Sequence, residues 1–526
     1  MNNLKLKKQY VFVLLANLLF LMVCTSKAES KKVKGSDQDD YYQEQYRPQF
    51  HFSPKFGWMN DPNGMVYYNG EYHLFFQYTP HAAIPDFPKM HWGHAVSTDL
   101  VHWKELLPAI APDEHGAIFS GSAVVDQSNT AGFQSGNEKT LISIFTYSPA
   151  NGVQSQGIAY SNDRGRTWVK YKNNPVLQNQ GIADFRDPKV FWYVKGQKWI
   201  MTLAVKDHVE LYSSPNLIDW TFESNFGVGT GAHGGVWECP DLFRLKVEGT
   251  DQEKWVLLVN INPGGPNGGS ANQYFVGEFD GKVFHNESPS PVARWMDYGK
   301  DNYAGVTWSG IPQADGRRLL IGWMSNWQYA QNVPTTVWRG AMTLPRELKL
   351  KKLPSGEIVL NGYPTSEFEN YGPKWNDLQS QSPKIAAGSL ATFILGNADA
   401  FDYSVELDLS TAKQATIQLA NSKNEVFDIV LDKAKQQVRI NRNQSGETAF
   451  SNEFPVDIVA PAQINEKVSL RLVIDQASVE LFMDGGLLEM TNIVFPKEIY
   501  NQVHIKSDQV IPVISSKVRN LKSIWR

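Results

Sequence analysis

Cysteine is nearly absent: the 526 residues carry two, Cys24 and Cys239. Cys24 lies in a leader-like segment, so the mature chain has no intrachain disulfide and its stability must come from burial. An excess of one charge is also missing. The 50 Lys and Arg against 54 Asp and Glu leave a net charge of −4 with no long basic stripe, which argues against nucleic acid as a partner. No His, Cys and Asp cluster has metal-ligand spacing, so neither a metal nor another cofactor is expected, and His91 with His94 reads as pocket wall. Long helical periodicity does not appear between residues 46 and 347. The one long apolar run, residues 10–23, is too short for a comfortable membrane span.

That run has a context. Lys5, Lys7 and Lys8 precede it and Ser26-Lys27-Ala28 follows as a small-x-small cleavage signal, so residues 1–28 read as a signal peptide. The protein is therefore expected to be exported, to a periplasm or the extracellular space. Leu21-Met22-Val23-Cys24 loosely resembles a lipobox, although Val23 is a poor residue before such a cysteine. The alternative is a surface lipoprotein held at the membrane by a lipid on Cys24. Residues 29–45 are polar and charged and read as a flexible linker.

From residue 46 to 350 the chain reads as short strands broken by Gly, Pro, Asn and Asp, and two patterns repeat. Ser97-Thr98-Asp99 leads to Trp103, Ser161-Asn162-Asp163 to Trp168, and Ser213-Ser214 to Trp220. Asp61-Pro62, Asp187-Pro188 and Cys239-Pro240-Asp241 each precede a pair of apolar strands. Spacings of about 50–65 residues suit four-stranded blades, and about 300 residues make five of them. The alternative is an array of β-sandwiches. From residue 362 to 526 alternating strands follow, with Asp484-Gly485-Gly486 as a hairpin signal, and this part reads as a β-sandwich giving structural support. The expected fold is all-β: a five-bladed β-propeller followed by a C-terminal β-sandwich.

The 16 Trp and 21 Tyr are compatible with sugar stacking but are equally ordinary core residues. Three acids are more telling, because each begins a repeat. Asp61 sits in Trp58-Met59-Asn60-Asp61-Pro62-Asn63-Gly64, where neighbouring amides can keep a carboxylate ionised. Asp187 follows Arg186. Glu238 is flanked by Trp237 and Cys239, and an apolar setting of that kind raises a carboxyl, as a general acid requires. Taken singly, these would be a turn, a surface ion pair and a buried structural glutamate. Equivalent positions in three blades would instead point all three into one channel. Paired carboxyls in different surroundings are what glycoside cleavage needs.

These motifs, with Phe119-Ser120-Gly121-Ser122 and residues 321–347, resemble glycoside hydrolase family 32, the β-fructosidases, from His51 to the C-terminus. The resemblance implies a retaining glycosidase acting on fructan or fructo-oligosaccharide substrates and releasing terminal fructose from levan, inulin or sucrose. It implies Asp61 as nucleophile, Glu238 as acid/base and Asp187 as transition-state stabiliser, the first two carboxyls standing about 5–5.5 Å apart. It also implies a fructose pocket of Asn60, Gln77, Trp92, Phe119, Ser120, Arg186, Asp297 of Asp297-Tyr298-Gly299, and Trp323. The run Trp323-Met324-Ser325-Asn326-Trp327 resembles exo-acting members. The alternatives are an endo-acting levanase, a fructosyltransferase and a non-catalytic fructan-binding protein. Residues 81–89 and 262–269 are the loops expected to shape the outer subsites.

Overall fold

The computed structural model describes residues 41–287, 292–378 and 384–525. The expected signal peptide and most of the expected linker lie outside them. The short β-branched and aromatic runs form strands, and five antiparallel sheets follow one another along the chain. Their innermost strands are Gly57–Tyr68, Ala117–Asp126, Phe185–Tyr193, Val236–Lys246 and Tyr303–Thr307. Each packs on the next, and the last returns to the first, so the five sheets close into a ring. Trp338–Arg339 adds to the first sheet as a parallel strand against Gly57 and Trp58. Aromatic and aliphatic side chains fill the space between neighbouring sheets. The architecture is the expected propeller with a sandwich behind it.

Each innermost strand carries a β-bulge where it enters the ring. Met59 to Pro62 spans one residue more than Tyr78 to Phe76 opposite. The same offset recurs from Phe119 to Gly121, Arg186 to Lys189, Glu238 to Asp241 and Tyr303 to Val306. Asp187, Cys239 and Ala304 take left-handed φ values of 65°, 43° and 53° there. A bulge bends its strand and re-aims a side chain. It also explains why Pro62, Pro188 and Pro240 are tolerated in buried strands, since a bulged position needs no ladder N–H. At Gly121 a Cβ would stand 2.1 Å from the Ile144 carbonyl oxygen, so the second bulge requires glycine.

The Ser/Asp/Trp repeat is a turn joining the third and fourth strands of a sheet. Asp99 N–H donates to Ser97 Oγ at 3.1 Å, Asp163 N–H to Ser161 Oγ at 3.4 Å, and Asn216 N–H to Ser214 Oγ at 3.1 Å. In the stretch between the two expected domains, Arg346–Lys352 pairs with Ile358–Pro364 as the outer hairpin of the fifth sheet. Pro354-Ser355-Gly356 is its turn, closed by Gly356 N–H to Leu353 O at 2.8 Å.

The sandwich stacks two sheets over one aliphatic core that includes Val405, Ile417, Ile429, Leu472 and Ile505. It meets the propeller through buried charge. Arg346 donates to Asp297 at 3.0 Å, Glu480 at 2.6 Å, Thr491 at 2.6 Å and also to Glu489. The His51 ring bridges Asp475 at 2.8 Å and Glu480 at 2.7 Å. Gln49 N–H donates to Asp475 at 2.7 Å, and the Trp525 indole N–H reaches Pro48 O at 2.7 Å. The start of the fold is thus laid against its end.

Candidate active site

Residues of the first four bulges line a cavity of about 460 Å³, and the fifth reaches it through the Tyr303 hydroxyl, which donates to Glu238. Asp61, Asp187 and Glu238 all line it, brought together from the first, third and fourth sheets. Asn60, Gln77, Phe119, Ser120 and Arg186 line it with them.

Each carboxylate has its own surroundings. Asp61 accepts from Ser120 Oγ at 2.7 Å and from Asn60 Nδ2 at 3.0 Å, and Asn60 is itself oriented by Trp58 Nε1–H at 2.7 Å. These bonds favour the ionised form, but burial and then the nearby Glu238 outweigh them, so the Asp61 pKa stands above its ordinary value. Burial pushes Asp187 up to about 7, against the pull of Arg186 and with Glu238 and Asp61 adding repulsion. Asp187 also accepts from Cys239 N–H at 3.0 Å. Glu238 accepts from Arg186 at 2.9 and 3.2 Å through one oxygen and from the Tyr303 hydroxyl through the other. Arg186 is held in turn by Asp184 at 2.6 Å.

The apolar setting expected for Glu238 is not what surrounds it. Side chains alternate along a strand, so Trp237 turns away from Glu238 into the core between the third and fourth sheets and donates to Ala232 O at 2.9 Å. Cys239, re-aimed by the bulge, places Sγ 3.7 Å from Asp61 and 3.6 Å from Asp187.

Three residues expected in the pocket do not line it. Trp92 is fully buried behind the wall and supports Phe119 by donating to its carbonyl at 3.0 Å. Trp323 is buried against Trp58 and Trp327, and it is Trp327 that reaches the cavity. Asp297 belongs to the interface with the sandwich: it accepts from Arg346, and from Thr491 N–H at 2.9 Å and Oγ1 at 2.6 Å. The glycine of its motif serves the same contact, since a Cβ on Gly299 would lie 2.0 Å from the Thr491 carbonyl oxygen. Nor are His91 and His94 pocket wall. His94 is buried between Phe75 and His73, and His91 binds the Lys89 carbonyl at 2.7 Å.

Residues not singled out from the sequence complete the lining: Phe87, Gln154, Asp184, Asn262 and Trp327. Phe87 and Asn262 fall in the two loops expected to shape outer subsites. Among the described residues, Asp113, Glu114 and His115 bring possible metal-ligand atoms within 4.8 Å of one another. Asp113 is already engaged by Lys170 at 2.6 Å, and none of the three lines the cavity.

The model of the glycosyl hydrolases family 32 N-terminal domain matches residues 51–361, and that of the family 32 C terminal matches residues 372–522. A levanase of Bacillus subtilis is 45% identical, over 99% of this chain and 76% of its own length. An extracellular exo-inulinase of Aspergillus niger is 37% identical, over 92% of this chain and 96% of its own. The crystal structure of an exo-inulinase from Aspergillus awamori superposes with a TM-score of 0.85 at 35% identity, covering 92% of this chain and 100% of that one. The family models together span most of the sequence, and the chain belongs to glycosyl hydrolase family 32 as a glycosidase.

Proposed function

We propose that this enzyme is a retaining, exo-acting β-fructosidase that releases terminal fructose from levan- or inulin-type fructans and from sucrose. The observation that carries the reading is the convergence of Asp61, Asp187 and Glu238 on one pocket from three separate sheets. In the first half-reaction Asp61 attacks C2 of fructose, and the bond from C2 to the leaving oxygen breaks as Glu238 gives that oxygen its proton. In the second, Glu238 takes a proton from water, whose oxygen displaces Asp61 from C2. Asp187 and Arg186 hold fructose hydroxyls and stabilise the positive charge that develops on the ring. Gln77 supports this reading as a sugar-binding residue, since it lines the pocket with a buried Nε2 that has no protein partner. The exo mode is supported by the likeness to proteins named exo-inulinase.

Asp61→Asn or Glu238→Gln should lower kcat by about 10²–10⁴-fold or more with folding intact, as removal of a nucleophile or acid/base does. Incubation with levan, inulin and sucrose followed by product chromatography tests the whole reading. Fructose alone is the expected product. A ladder of oligosaccharides would overturn the exo mode, and binding without hydrolysis would overturn the enzyme assignment.

The reading extends to residues 1–45, as leader and linker of an exported enzyme, and to a division between propeller and sandwich in the segment 365–372. The mass of the mature N-terminus separates cleavage after Ala28 from lipidation at Cys24.

A further inference from the structure

The sandwich reaches the rim of the pocket through two propeller loops, one that follows a lining residue and one that carries another. The first, 263–270, follows Asn262. Gly264 and Gly265 N–H both donate to Gly269 O, at 3.0 and 2.9 Å, which coils the loop tightly. At its tip Asn267 binds sandwich strand Ile458–Pro461 much as another strand would. It donates to Val459 O at 3.1 Å and accepts from Val459 N–H at 2.8 Å. The second loop, 324–333, carries Trp327. Next to it, Gln328 donates to Glu453 Oε2 of the sandwich at 3.2 Å. Lys300 Nζ donates to Gln328 Oε1 at 2.7 Å and to Glu453 O at 3.0 Å, closing the contact. The two loops are tied to each other, because Trp327 N–H donates to Ser270 Oγ at 3.3 Å.

Asn262 also marks where the pocket continues outward. It and Asp184 are shared with a shallow polar groove of about 440 Å³ that runs on past Lys206, Asp207 and Gly234. Asp61, Asp187 and Arg186, which hold the reacting fructose, stand on inner strands. With the groove continuing past Asn262 and Pro263, the β-fructosidase reading puts the remainder of a longer substrate along these loops.

We infer that the sandwich is a positioning element for the leaving-group side of the site: through Asn267 and Gln328 it fixes Asn262 and Trp327, and thereby sets how strongly long β-fructans are preferred over sucrose. The inference rests on the β-fructosidase reading and assigns the second domain a part in it. Asn267 and Gln328 are positioning residues.

The test measures kcat and KM of the full chain for sucrose, levan and inulin, with Asn267→Ala and Gln328→Ala made separately and thermal unfolding followed in parallel. For each variant KM on the polymers should rise roughly fivefold, the scale of one lost hydrogen bond. The sucrose kcat/KM should stay within about twofold and the unfolding midpoint should hardly move. An equal loss on all three substrates would show a merely structural contact and overturn the inference, as would unchanged kinetics on all three. Failure of the fructosidase reading is seen separately and first, as a wild-type enzyme that hydrolyses none of them.

Discussion

Asp61 is pulled two ways. Burial and Glu238 hold its pKa up, while Ser120 and Asn60 hold it down. A nucleophile works ionised, so activity is lost as pH falls through the raised value, and the acid limb of kcat/KM should lie above the ordinary value of an aspartate. Ser120→Ala removes a bond to the ionised form and should move that limb to higher pH. A pH–rate profile of the variant checks this, and a limb that stays in place would remove Ser120 from the role given to it here. The three acids stood out in the sequence because each begins a repeat marked by a proline, directly after Asp61 and Asp187 and two residues after Glu238. Asp297 and Trp323 were misread for the converse reason. Their motif residues look alike in the chain, but Asp297 owes its place to Thr491 and Arg346, and no local pattern announces partners so distant.

The bulge is the element that builds the site. Proline flagged three of the five, at Asp61, Asp187 and Cys239, but those at Ser120 and Ala304 have no proline and left no comparable mark. Ala304 is fully buried at a φ of 53°, a conformation that a β-branched side chain resists. Ala304→Val should therefore destabilise the protein by about 1–3 kcal/mol, while Ala304→Gly costs less, a difference that denaturant unfolding will read. The loop residues Gln154 and Asp184 were harder to read for another reason. Their approach to the pocket depends on closure of the ring, which no stretch of a single sheet encodes.

For the whole molecule, the interface charges set the response to pH. Hydrogen bonds to Asp475 and Glu480 overcome the penalty of burial and lift His51 to about 9, so its stabilisation is complete below 6.5 and lost as pH rises through 9. Glu489 is lifted to about 8 by burial, against Arg346, so its contribution is complete below 4.5 and lost on the way to 8. Both slopes have the same sign, and the melting temperature should fall between pH 5 and pH 9; a flat profile would contradict them. Glu480 runs the other way: Arg346 and His51 outweigh burial and hold it at about 2, so its share is complete above 4.5 and lost as pH falls from there through 2. Arg346→Leu would strand Asp297, Glu480 and Glu489 together and should cost about 3–5 kcal/mol, measurable by chemical denaturation. The clasp of Gln49 and His51 onto Asp475 and Glu480, with Trp525 closing over Pro48, also bears on biosynthesis. Gln49 and His51 have no seat until the strands that carry Asp475 and Glu480 have been synthesised, more than 400 residues later. A message cut short after the ring would therefore yield a propeller whose entry segment, Gln49 to His51, lacks its anchor.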